Sequence, residues 1–230
     1  MTILSSIDST SQILRWPTPR SQEWTEGFLD RAASDSNVLA VVATGSAVRP
    51  NVRSVDFDLV VICEKPDLFY ETRPIEIDLR VYAADEIDRQ IGEGHDLLGW
   101  TVKFGKVLYE RNKFWTNVCD VWNGRLPFPS SKLARERAVS AYRRLVNVLN
   151  IGDVCAAHEQ ALTYLTHIAR AELLDKRVYP ASRPELPQQL RMASEHGIAD
   201  CLEYLLRHEP TATAEIAGLI EGYHLTETRQ

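Results

Sequence analysis

Two residue groups in this chain have the types and spacing that suit metal and phosphate chemistry. Gly45 and Ser46 follow an apolar run at 38–43, and after nine intervening residues Asp56 and Asp58 precede a second apolar run at 59–62. Side chains two apart on a strand share a face, so the two aspartates are expected side by side. Carboxylate oxygens bind hard divalent cations, and a glycine lets the backbone approach a phosphate closely.

A third carboxylate follows on what should be a neighbouring strand. Residues 75–82 alternate strictly, which predicts a half-buried strand whose polar face carries Glu76, Asp78 and Arg80. Asp56, Asp58 and Asp78 could together hold two Mg²⁺ ions around a phosphoryl group, with Mn²⁺ as the alternative ion. Glu76 shares the face of Asp78 and is its rival for the third position. Asp78 is preferred because its shorter side chain would fix a metal more rigidly.

The elements that must position these residues form a small α+β unit. The pattern predicts a helix at 21–34, strands around 38–43, 59–62 and 75–82, a short helix at 84–91, and a helical turn with a short strand at 99–110. The segment 123–131 contains two prolines, a glycine and serines, and it interrupts all periodicity. Beyond it, helical stripes at 131–149, 153–175 and 183–222 predict an antiparallel bundle. The predicted domains are therefore residues 1–122 and 131–230.

Composition narrows the class of protein. The 230 residues are 44% hydrophobic and 25% charged with a net charge of −6, which excludes a general electrostatic footprint for nucleic acid. The four cysteines form no CxxC pair, which is typical of reduced thiols in a cytoplasmic protein. The first residues lack the pattern of a signal peptide, and no apolar run is long enough to span a membrane.

The motif resembles that of the DNA polymerase β-like nucleotidyltransferase superfamily. In that family an apolar strand ends in Gly-Ser, Asp-x-Asp begins the next strand, and a later strand carries a third Asp; here these are Gly45, Ser46, Asp56, Asp58 and Asp78. The resemblance covers about residues 20–112, through KFGKVLYE. The helical half is similar in layout to the partner domains of kanamycin-type nucleotidyltransferases and to HEPN-like domains.

The resemblance implies a mixed sheet with flanking helices followed by a helical bundle domain, and a metal-dependent transfer of a nucleotide. It implies ATP or another nucleoside triphosphate as co-substrate, AMP as the group transferred, and a hydroxyl of a small molecule or a protein as acceptor. Asp56, Asp58 and Asp78 would be the catalytic metal ligands, while Gly45 and Ser46 would bind the triphosphate. A nucleotide-binding regulatory or antitoxin-like module is the alternative. The acceptor, the base preference and the oligomeric state, including a homodimer, stay open.

Several other residues carry weaker hypotheses. The family's general base is usually a Glu of the helical domain, and Glu136 and Glu159 both remain candidates. Arg49 and Arg53 could contact phosphate, although solvated loop arginines are the favoured interpretation. Arg191 and His196 have the R-x4-H spacing of HEPN ribonucleases, a spacing that also arises by chance.

Overall fold

A four-stranded mixed sheet forms the centre of the first half of the chain. The structure is a computed structural model and describes residues 15–49, 56–68 and 72–223. Its strand order is β3-β2-β1-β4, with β1 antiparallel to β2 and β4, and β2 parallel to β3. The strands are β1 (Val38–Thr44), β2 (Phe57–Cys63), β3 (Ile77–Ala83) and β4 (Lys106–Glu110).

Helices cover both faces of the sheet. They are α1 (Pro19–Ser34), α2 (Ile87–Gly92), α3 (Asp96–Phe104) and α4 (Phe114–Trp122). Phe28 and Leu29 of α1 pack with Leu59 and Val61 on one face. On the other face, side chains of α2, α3 and α4 pack against Val60 and its neighbours. Because β1 and β2 are covered on both sides, their sequences read as continuous apolar runs rather than alternating ones.

The start of α1 is tied to the start of β3. Thr18 caps the helix, accepting a hydrogen bond from the Ser21 backbone N–H at 3.0 Å, and Pro19 occupies the first turn, where its missing N–H costs no helical bond. The Thr18 hydroxyl also donates to Glu76 Oε1 at 2.9 Å. This bond fixes the chain just before β3 begins.

The second half is helical. Its helices are α5 (Ser131–Ile151), α6 (Val154–Asp175), α7 (Leu186–Met192), α8 (His196–Arg207) and α9 (Thr213–Ile220). Gly152, with φ of +84°, ends α5, and the Asp153 side chain accepts from the Ala156 N–H at 2.9 Å to begin α6. Leu145, Leu165 and Leu202 belong to one buried cluster shared by these helices.

The predicted α+β architecture, a mixed sheet with flanking helices followed by a helical region, is confirmed. The chain divides into two compact units, Met1–Pro127 and Phe128–Gln230, a division that falls within 123–131. The functions assigned to the two predicted domains stay predictions. In the part of the chain described, no helix combines the length and apolarity that a membrane crossing needs.

Two element boundaries differ from the sequence prediction. The strand expected at 75–82 begins at Ile77, and Ile75 lies outside it with its side chain fully exposed. Helix α4, which the sequence reading did not anticipate, buries Trp115 and Val118 against the sheet. Its short apolar stretch lies directly before the proline-rich segment, where periodicity gives too few turns to detect a helix.

Candidate functional site

Strand register brings two of the three aspartates side by side. On β2, Asp58 pairs with Thr44 of β1 on one side and with Asp78 of β3 on the other. The three residues therefore form one row across the sheet. Because strand side chains alternate, Asp58 lies on the same face as Val60, which is the face covered by α2, α3 and α4.

Asp56 lies at the edge of this row rather than within the strand. It precedes β2 by one residue and is exposed. Asp58 therefore lies on a strand face as expected, whereas Asp56 lies outside the strand. Its charge still acts on Asp58, as the pKa of that residue shows.

The turn after β1 is shaped by the carboxylate of Asp58. Gly45 has φ of 72° and ψ of −155°, a backbone conformation that is essentially restricted to glycine. A Cβ at this position would lie 1.9 Å from Asp58 Oδ2. Ser46 then begins a short 3-10 turn, Ser46–Val48, which is held by the buried Ala47 and Val48. The Gly-Ser turn therefore lies directly against the Asp58 side chain.

Asp58 is the electrostatic centre of the row. Burial, together with the neighbouring charges of Asp56 and Asp78, raises its pKa from 3.8 to about 7, while Arg80 acts in the opposite direction. A carboxyl group with such a pKa gains from any further positive charge placed near it. The site is therefore suited to receive a cation.

Asp78 is engaged by Arg80, a residue that the sequence reading did not single out. Arg80 Nη2 donates to Asp78 Oδ2 at 2.7 Å, and Arg80 Nε lies 3.1 Å from Oδ1 and 3.2 Å from Oδ2. Proximity to the Asp78 carboxylate raises the pKa of Arg80 further. The signal was present in the sequence, because residues 78 and 80 share a strand face.

The rival carboxylate, Glu76, has a different partner. It lies just before β3 and accepts the hydrogen bond from Thr18 that anchors α1. Hydrogen bonds from its own backbone and from Thr18 lower the pKa of Glu76. Of the two, Asp78 is the one placed opposite Asp58.

Helix α3 packs against the end of β1. The Thr101 hydroxyl donates its proton to the Leu97 carbonyl at 2.7 Å, and its oxygen lies 3.2 Å from Thr44 Oγ1, within hydrogen-bond distance; both threonines are buried. The guanidinium of Arg49 lies 4.4 Å from the centre of the Phe104 ring at the end of α3. This contact places Arg49 on an aromatic surface close in sequence to the Gly-Ser turn. Arg53 lies outside the described residues.

The donor set fits a hard divalent cation in chemistry, although it is not arranged as a ready cage. Carboxylate oxygens are the preferred ligands of Mg²⁺, and the absent side chain of Gly45 lets the Asp58 carboxylate lie directly against the turn. Within 15–49, 56–68 and 72–223, however, no group of three or more His, Cys, Asp or Glu side chains is placed to hold one ion. Asp78 is instead paired with Arg80.

In the helical unit, the two candidate bases differ in their surroundings. Glu159 lies 3.3 Å from Arg183 in an ion pair. Glu136 lines a cleft of about 320 Å³ together with Leu133, Arg137, Ser140, Arg144 and His167.

Of the R-x4-H pair, Arg191 is held in ion pairs. Arg191 forms ion pairs with Asp200, at 2.7 Å, and with Glu203, both on α8. His196 is the first residue of that helix. The arginine therefore has a structural role that accounts for its position.

Comparison with known proteins shows a likeness to a solved structure. No family model matches the sequence, and no curated protein matches it. The chain is similar to the crystal structure of a nucleotidyltransferase-like protein from Exiguobacterium sibiricum, with 18% identity and a TM-score of 0.43, over 87% of this chain and 72% of that one.

Proposed function

We propose that this protein is a metal-dependent nucleotidyltransferase, which transfers a nucleoside monophosphate, AMP from ATP, to a hydroxyl group and releases pyrophosphate. The observation that carries the proposal is the contact between Gly45 and Asp58 together with the pairing of Asp58 and Asp78. This arrangement sets a sharp glycine turn directly against carboxylates on two adjacent strands. Such a combination suits a polyphosphate bound with divalent cations.

The carboxylates would hold the metal. Asp56 and Asp58 would be shared ligands, and Asp78 would complete the set for the ion nearest the acceptor. When bound, Mg²⁺ supplies positive charge at the phosphoryl oxygens and lowers the pKa of a coordinated hydroxyl. The carboxylates of this chain would position the ions and accept the hydroxyl proton.

The turn would hold the triphosphate. The Gly45 backbone can approach phosphate oxygens without hindrance from a side chain, and Ser46 offers a hydroxyl and an N–H. In the reaction, the acceptor oxygen forms a bond to the α-phosphorus and the bond between that phosphorus and the bridging oxygen breaks. Pyrophosphate leaves with the bonding electron pair, and the hydroxyl proton passes to a carboxylate.

The acceptor would be a small molecule, such as an aminoglycoside-like antibiotic, or a protein side chain. Glu136 is the better candidate for an additional base, because Glu159 is paired with Arg183 whereas Glu136 lines a polar cleft. Both are assignments to be tested by substitution.

The test is pyrophosphate release from each of the four nucleoside triphosphates with Mg²⁺, over a panel of aminoglycosides, other hydroxyl compounds and candidate proteins. Asp56→Ala and Asp58→Ala should each lower turnover by roughly a hundredfold or more. Loss of a residue that only hydrogen-bonds to a metal ligand lowers activity by about 10- to 100-fold, and loss of the ligand itself should lower it further. Asp30→Asn, an exposed carboxylate on α1, is the matched control and should retain activity. Tight Mg-ATP binding that survives both alanine substitutions would refute the assigned metal roles.

A second candidate is a nucleotide-binding regulatory module with little turnover. It is favoured by the engagement of Asp78 with Arg80 and by the lack, among the residues described, of a ready three-ligand group. Calorimetry that detects nucleotide binding, together with no pyrophosphate release for any acceptor, would support this function over transfer.

A further inference from the structure

We propose that Arg80 is a built-in counter-cation, which holds the Asp78 carboxylate when no metal is bound and competes with the divalent cation for it. Arg80 is thus a positioning residue that acts through Asp78. The inference rests on the proposed function, since it takes Asp78 as a metal ligand.

The pair uses the atoms that a metal would need. Three short donor–acceptor distances, of 2.7, 3.1 and 3.2 Å, connect the Arg80 guanidinium to both carboxylate oxygens of Asp78. A guanidinium that donates to both oxygens occupies part of their lone pairs and places a positive charge where a metal ion would bind, so the two cations repel each other. Arg80 and a metal ion are therefore alternatives at Asp78.

Arg80 also acts on the next strand. Asp78 pairs in register with Asp58 of β2, so a guanidinium held on Asp78 also brings its positive charge close to that second carboxylate. The guanidinium therefore provides, for the metal-free protein, part of the charge compensation that a divalent cation would provide in the loaded protein.

The pair is open to exchange. The Arg80 and Asp78 side chains are 59% and 40% exposed, and β3 is an edge strand of the sheet. Exposed ion pairs change an equilibrium by a factor of about five at most, which a divalent cation with three carboxylate ligands can overcome. The exposed position also lets the guanidinium move into solvent without leaving a cavity.

The experiment is a Mn²⁺ titration of the full chain without nucleotide, following free Mn²⁺ by electron paramagnetic resonance. Arg80→Gln should bind Mn²⁺ about fivefold more tightly than the unsubstituted protein. Arg89→Gln is the matched control, because Arg89 of α2 is a similarly exposed arginine, paired with Glu86 and Glu93 at the two ends of that helix. It should leave the Mn²⁺ affinity unchanged.

A double-mutant cycle separates competition at Asp78 from a general effect of charge. In an Asp78→Asn background, Arg80→Gln should give little or no gain in affinity, because the shared carboxylate is absent. Arg80→Lys keeps the charge but not the bidentate geometry, so its Mn²⁺ affinity should fall between those of the unsubstituted protein and Arg80→Gln. If Arg80→Gln does not fold, Arg80→Lys replaces it in the titration.

The results that overturn the inference are specific. Equal or weaker Mn²⁺ binding by Arg80→Gln, or an equal gain in the Asp78→Asn background, would refute competition while leaving the metal site in place. If neither the unsubstituted protein nor Arg80→Gln binds Mn²⁺, both the inference and the metal dependence of the proposed function are wrong.

Discussion

The carboxylate of Asp58 occupies the space that a side chain at position 45 would need. Since the nearest Asp58 atoms would lie 1.9, 2.9 and 3.3 Å from a Cβ there, rotation of the carboxylate alone would not remove every close contact. The glycine and the aspartate therefore depend on each other. A substitution at either position should alter both the turn and the ligand set.

Gly45→Ala tests this dependence. We expect a loss of about 1–3 kcal/mol in the free energy of unfolding from the backbone conformation, and displacement of the Asp58 carboxylate from the row. Mn²⁺ affinity should fall by roughly tenfold or more because one proposed ligand has moved. Denaturant unfolding and the Mn²⁺ titration measure the two effects.

Gly124 offers a matched control within the same unit. It has the same φ of +72°, but a Cβ added there would meet nothing within 4 Å. Gly124→Ala should therefore show a backbone cost without any change in Mn²⁺ affinity. If the two alanine variants had the same metal affinity, the contact between Gly45 and Asp58 would have no role in the site.

At the scale of elements, the sequence predicts the strands but not the register in which they pair. Asp78 could be placed on a neighbouring strand from its alternating flanks, but its pairing with Asp58 follows from the parallel register of β2 and β3, which no local pattern encodes. The Thr44–Thr101 hydrogen bond joins residues 57 positions apart, so it too was beyond sequence reasoning. The apolar runs of β1 and β2 were readable because they are buried on both faces.

Burial of Asp58, together with the charges of Asp56 and Asp78, makes stability depend on pH. The folded protein holds a proton on Asp58 up to about pH 7, whereas the unfolded chain releases it near pH 4. In that window the unfolded state binds fewer protons, so the free energy of unfolding should decrease as pH rises, by at most about 1.4 kcal/mol per pH unit. Partial hydration of the side chain would reduce this slope.

Denaturant unfolding between pH 4 and 8 in a metal-free buffer containing a chelator measures the effect. Asp58→Asn should lose this part of the pH dependence, while Asp30→Asn should follow the unsubstituted protein. Parallel curves for the protein and Asp58→Asn across the whole window would contradict the raised pKa.

At the scale of the whole molecule, each described unit has its own hydrophobic core. The clusters around the sheet take their residues from the first unit, and the large helical cluster takes its residues from the second. The proposed metal site lies in the first unit, and the cleft lined by Glu136 lies in the second. The sequence indicated this division through the break in periodicity at 123–131.

Separate cores give a prediction about unfolding. Leu165 is fully buried in the helical cluster, and Leu165→Ala should destabilise that unit by about 2–5 kcal/mol. All five tryptophans lie in the first unit, so their fluorescence reports on it, whereas far-UV circular dichroism also reports the helices of the second. The circular dichroism transition should therefore move to lower denaturant more than the fluorescence transition does.

Leu98→Ala, which changes a buried leucine of α3 in the first unit, is the control and should instead move the fluorescence transition. If Leu165→Ala shifted both transitions equally, the two units would have to unfold as one cooperative body, because a core confined to one unit cannot otherwise change the stability of the other.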